Sequence, residues 1–151
     1  MQVSQKCQYA LRAVFELSLR SGEGPVKIAE IAKAQAIPPR FLELILGQLK
    51  KGKFVKSKRG NEGGYELMRS PDELTVGELI RFVEGPFVPV DCMIGKADKD
   101  NRCPFYGDCV FLPMWEKVQK AISDVYDSTT LQDLVDEERK RTGHCVSRYA
   151  I

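Results

Sequence analysis

The chain has no run of 18 or more apolar residues, which excludes a membrane-crossing helix of ordinary length. Its first ten residues, MQVSQKCQYA, lack the basic, apolar and small-residue succession of a secretory signal, so the cytoplasm is the expected location. There is no C-x-x-C pair of the zinc-ribbon kind, and histidine occurs once, as His144. Nothing resembles a phosphate-binding Walker loop, a nucleophile elbow or a Cys/His/Asn nucleophile set, which argues against an enzyme. No internal repeat is present. What remains is ordinary for a folded protein: 43% hydrophobic and 29% charged residues in 151, enough for one compact unit with elaborations.

The net charge of +2 conceals an asymmetry. Residues 1–70 hold 13 Lys and Arg against 6 Asp and Glu, whereas residues 71–151 hold 10 against 15, so the two parts face different partners. A basic front half suits phosphate contacts, although charge alone equally describes a solvated surface. Local pattern separates the two. Ser4 is placed to cap a helix with Cys7, Ala10, Leu11, Val14 and Leu17 on one face, stopped by Gly22 to Pro25. A short helix over about Val26 to Ala34 is followed, after Gln35 to Pro38, by a third helix from about Pro39 to Lys51. On it Leu42, Ile45, Leu46 and Leu49 make an apolar stripe, and Arg40, Glu43, Gly47 and Lys50 project oppositely.

Two short alternating segments around Arg59-Gly60-Asn61-Glu62-Gly63-Gly64 then predict a hairpin, or wing. Helix, tight turn, helix and hairpin is the arrangement that places a helix in the roughly 12 Å major groove of DNA. Arg40 and Glu43 are the candidates to read bases, arginine on guanine and glutamate on cytosine. Lys50, Lys51, Lys53, Lys56 and Lys58 suit phosphates, and six of the ten residues from Lys50 to Arg59 are basic. Arg59, at the hairpin tip, is the candidate for a narrow minor groove.

Thr75 and Glu78 form a capping-box pattern for a short helix ended by Gly85-Pro86. A polar loop of about 25 residues comes next, long enough to suggest a function, and it carries Cys92, Cys103 and Cys109. Reduced thiols clustered in a cytosolic protein point to metal binding or redox chemistry more than to structural disulfides. The spacing alone leaves open a metal or iron-sulfur site, a thiol switch, or an incidental grouping. Beyond the loop, Phe111, Trp115, Val118, Ile122 and Val125 recur at steps of four and three, an a/d seam that wants a partner helix and predicts a symmetric dimer. A last short helix begins at Thr130, and the tail from Arg139 is expected to be mobile.

The segments SQKCQYALRAVFEL, IAEIAKAQAIPPRFLELILGQLKKGKFVKSKRGNEGGYEL and LTVGELIRFVEGP resemble the IscR/NsrR/CymR-type (Rrf2) family of winged-helix transcriptional regulators. The likeness runs over about residues 1–135, and SKRGNEGGYEL is its most specific piece. It implies a mainly α fold with a small β-hairpin: a winged helix-turn-helix domain (1–84), a cysteine-bearing sensor loop (85–110), a dimerisation helix with a following short helix (111–136) and a flexible tail (137–151). It also implies a homodimer on a pseudo-palindromic operator, with Arg59 entering the minor groove from the wing. Family members with three cysteines in this loop hold an iron-sulfur cluster, which assigns Cys92, Cys103 and Cys109 to [2Fe-2S] in preference to [4Fe-4S], with cluster state changing DNA affinity.

The fourth ligand departs from the family pattern. Where one branch has histidine, three residues past the third cysteine, this chain has Leu112; where another draws on the partner's first helix, it has Gln8 and Arg12. Asp91, Asp108, Cys7 of the partner subunit and the His144-Cys145 pair remain as candidates. The rival expectations are a metal-free winged-helix regulator switched by thiol oxidation or a protein partner, and an electron carrier or small enzyme that holds an iron-sulfur centre and binds no operator.

Overall fold

The computed structural model describes residues 2–94 and 103–147, with side chains described up to residue 143. Among these, the chain forms α1 (Gln5–Leu19), α2 (Ile28–Gln35), α3 (Pro39–Lys51), β1 (Val55–Lys58), β2 (Gly64–Leu67), α4 (Val76–Glu84), α5 (Leu112–Ser128) and α6 (Leu131–Ser147). Short 3-10 turns lie at Pro71–Glu73 and Asp91–Met93. No helix of the described residues is long and apolar enough to cross a membrane.

Ser4 caps α1, its hydroxyl accepting from the Cys7 N–H at 3.2 Å. Cys7, Ala10, Val14 and Leu17 are buried as the periodicity predicts, while Leu11 is half-buried. The second helix starts two residues later than expected because Val26 is used elsewhere. Its N–H donates to the Tyr65 carbonyl and its carbonyl accepts from the Tyr65 N–H, both at 2.8 Å, so Val26 extends the wing sheet by one bridge. Ala36 ends α2 in the left-handed region (φ 50°, ψ 47°) and makes the tight turn into α3.

The main core is shared by α1, α2, α3, the root of the wing, α4 and α6; Val14, Ile31, Leu42, Leu46, Leu49, Leu79 and Leu131 are essentially inaccessible to solvent. Thr75 caps α4 by accepting from the Glu78 N–H at 3.1 Å. The reciprocal half of the expected capping box is replaced by an ion pair, because the Glu78 carboxylate is taken by Arg69.

The end of the chain differs most from the sequence reading. α6 is a 17-residue helix continuing to Ser147, where a short helix and a tail from residue 137 were expected. Its start is held by a capping box: the Thr130 N–H and hydroxyl donate to the Asp133 carboxylate at 2.8 and 2.7 Å, and the Asp133 N–H donates back to the hydroxyl at 3.1 Å. These bonds hold the Asp133 carboxyl below its usual value. No proline interrupts the later turns of the helix, and Leu131 and Val135 are buried, so the first turns of α6 are anchored by packing that local pattern does not reveal.

Candidate nucleic-acid interface and cysteine pocket

α3 is built as its sequence demands. Pro39 occupies the first turn, where its missing N–H costs nothing, and Leu42, Ile45, Leu46 and Leu49 are all buried. Arg40 and Glu43 are exposed on the outer side, and neither forms an ion pair among the described residues. Two apolar residues that the sequence reading passed over share that side: Phe41 and Leu44 are 57% and 70% exposed. The available signal was an apolar residue placed opposite the buried stripe.

The wing pairs β1 with β2 antiparallel, Val55 opposite Leu67 and Lys58 opposite Gly64. A side chain at Gly63 would collide with the Lys58 carbonyl, so the tight turn needs glycine there. The lysines are not equivalent. Lys56 is paired across the hairpin with Glu66 at 3.2 Å, and Lys50 donates to the Ser57 hydroxyl at 2.5 Å, tying α3 to the wing. Lys51, Lys53, Lys58 and Arg59 are exposed and form no ion pair among the described residues. These four put unpaired positive charge side by side at the end of α3 and the wing tip.

The second feature is a pocket of about 430 Å³, within the range of small-molecule and cofactor sites. Cys92, Cys103 and Cys109 all line it, together with Met93, Leu112, Glu116 and Gln119. Their thiols are free. The chain between them, residues 95–102, lies outside the described residues. Among the described residues no group of three or more His, Cys, Asp and Glu side chains stands at metal-binding spacing, so the thiols share a cavity without forming a coordination sphere. By chemistry the set nevertheless fits an iron-sulfur group: three soft sulfur donors, plus one carboxylate, face a common space.

That carboxylate is Glu116, which the sequence reading did not single out. Its signal was weak, a spacing of four from Leu112 and three from Gln119 along one face of α5. The Gln119 amide donates to the Phe87 carbonyl at 2.7 Å, fixing this face of α5 against the start of the loop. Of the earlier candidates for a fourth ligand, Asp91 and Asp108 do not line the pocket. The His144 and Cys145 side chains lie outside those described. Cys7 is 0% exposed and packs against Val76 and Ile80. Burial, and then the neighbouring Glu84 carboxylate, push its thiol up to about 11, which suits a core residue and not a ligand. Because the thiolate is the reactive form, Cys7 in iron-stripped protein should alkylate about 100-fold more slowly than free cysteine. Peptide mass spectrometry after timed iodoacetamide checks this, and parity with free cysteine would sink it.

No residue of α5 is buried. The helix packs on α4 and the segment after it, where Arg81 pairs with Asp127 at 2.6 Å and Phe87 meets Tyr126 edge-on at 6.4 Å. On the seam, Trp115, Val118 and Ile122 are half-buried, while Phe111 and Val125 are each 61% exposed.

A buried-backed helix beside a basic hairpin, reached through a tight helix-turn-helix, defines a winged-helix DNA-binding protein. Comparison with known proteins narrows this class. The Rrf2 pattern, described as iron-dependent transcriptional regulator, matches residues 3–137, and the chain belongs to that family. It is 34% identical over 134 residues to the HTH-type transcriptional regulator CymR of Bacillus subtilis, covering 89% of each chain. The solved structure of that CymR, described as the global cysteine regulator of B. subtilis, superposes with a TM-score of 0.73 at 34% identity, over 91% of this chain and 98% of the other. T. potens IscR superposes equally well, with a TM-score of 0.73 at 37% identity over 91% and 88%. The fold expectation is therefore met, and the relatives are named as transcription regulators.

Proposed function

We propose that the chain is a homodimeric transcriptional repressor that acts in the cytoplasm, binds a pseudo-palindromic operator, and senses iron-sulfur, redox or nitric oxide status through an iron-sulfur group held by Cys92, Cys103 and Cys109. The observation that carries this reading is that α5 has two jobs. Leu112, Glu116 and Gln119 form a wall of the cysteine pocket, and Phe111, Trp115, Val118, Ile122 and Val125 form an apolar seam on an adjacent face, half-buried in its middle and exposed at Phe111 and Val125. What the thiols hold therefore bears on the packing of the helix that sets the spacing of two α3 helices.

The three thiols are the sulfur donors of such a group, and Glu116 is the anionic oxygen donor of the same pocket. When bound, the group supplies one-electron redox chemistry and lability towards oxidants. The family's description as iron-dependent agrees with this assignment.

On the DNA side, Arg40 and Glu43 reach base edges, Lys50, Lys51, Lys56 and Lys58 meet phosphates, and Arg59 enters the minor groove. Fluorescence anisotropy on a duplex selected from a random-sequence pool tests this. Arg59→Ala should weaken binding by about 1–3 kcal/mol, roughly 5- to 150-fold, with the oligomer unchanged. Lys58→Ala should lower the salt slope by about one phosphate contact. Full affinity in the Arg59 variant would remove the wing from the interface.

A further inference from the structure

Leu44 sits at the centre of the outward face of α3, four residues from Arg40, three from Gly47 and seven from Lys51, with the buried stripe on the far side. At 70% exposure it is an apolar side chain where an amphipathic helix would ordinarily present a polar one. One exposed leucine is unremarkable by itself. Its surroundings are specific. Phe41 beside it is 57% exposed, but its ring lies against Tyr9 at a centroid distance of 6.4 Å, so packing within the protomer already holds it in place. Leu44 takes part in neither core cluster. A Cβ at Gly47 would meet nothing within 4 Å, which leaves open space on the same face. The occupant this face fits is polyanionic, because the first 70 residues carry 13 basic against 6 acidic groups, and Lys50, Lys51, Lys53, Lys58 and Arg59, which form no ion pair among the described residues, lie together at the end of α3 and on the wing.

In the major groove the base edges offer hydrogen-bond donors and acceptors and a single apolar group, the C5-methyl of thymine. We infer that Leu44 is a specificity residue that packs on a thymine methyl in each half-site, beside bases read by Arg40 and Glu43. The inference rests on the DNA-binding reading above. It adds that one base is chosen by apolar contact and not by hydrogen bonding.

The test uses the full chain, purified without oxygen, and the same protein stripped of iron. Duplexes are selected from a random-sequence pool, and each thymine of the selected site is then replaced singly by deoxyuracil, which removes only the methyl. One thymine per half-site should cost wild type about three- to five-fold in affinity, the effect of one buried methyl. In Leu44→Ala the same replacement should cost nothing, while the drop caused by Arg59→Ala persists in the double variant. Because Leu44 lies outside the core, the variant should melt as wild type does. If neither form enriches any sequence, the DNA-binding reading falls and this inference with it. If a site is enriched but uracil is tolerated at every thymine, or costs wild type and Leu44→Ala the same, the inference alone is overturned.

Discussion

Changing Cys92, Cys103 and Cys109 together to alanine should leave a colourless, iron-free protein. The parent chain, purified without oxygen, should absorb visible light and contain iron and sulfide. The reasoning is local. None of the three residues belongs to either buried cluster, and all three face the same pocket, so their removal takes away sulfur donors without opening a cavity in the core. The melting temperature of the variant should therefore match that of iron-stripped parent protein. A parent that is colourless and iron-free would end the iron-sulfur proposal. It would leave the winged-helix assignment in place and move the signal to thiol oxidation or a protein partner.

The second large effect is on assembly. Val125→Glu should turn a dimer into a monomer of 17.0 kDa, read by light scattering or sedimentation. In the protomer Val125 is 61% exposed, so glutamate there leaves the fold intact. In a symmetric seam it would meet its own copy, placing two carboxylates in an apolar contact, and desolvating them without a partner costs several kcal/mol. Operator affinity should fall with the oligomer by about 100-fold or more, because each half-site would be bound without the effective concentration its linked neighbour supplies. Val125→Leu should remain a dimer. A monomeric parent protein, or a Val125→Glu variant that stays dimeric, would show that α5 is not the seam.

These expectations draw unequally on sequence and structure. The third helix was readable because its determinants are local: proline at the start, leucines and isoleucine at 42, 45, 46 and 49, and glycine at 52. The hairpin was readable for the same reason, from alternating residues around a turn that requires glycine. Leu44 was obscured because a period names a face without saying how much of a given side chain the rest of the fold covers. The length of α6 was missed because its later, charged residues look like a tail, whereas its first turn is anchored by Leu131, packed in the main core with residues of α1 from the other end of the chain. Glu116 was missed because the cysteines draw attention to the loop, whereas the wall opposite them belongs to α5.

Taken alone, the sequence determined the elements and their order, since helix periodicity, caps and turn glycines act over a few residues. It determined also that the basic charge accompanies the helix-turn-helix and wing, and that three thiols occupy one loop. Only the tertiary structure decided which faces meet. The Val76 N–H donates to the Thr129 carbonyl and the Leu131 N–H to the Leu74 carbonyl, both at 2.9 Å, joining the α5–α6 turn to the entry of α4. That pairing lays α5 along α4, and the entry of the loop into α5 sets Glu116 in the wall of the pocket that Cys92, Cys103 and Cys109 line. Contacts between residues more than 50 positions apart depend on how the chain closes, and no local period records that.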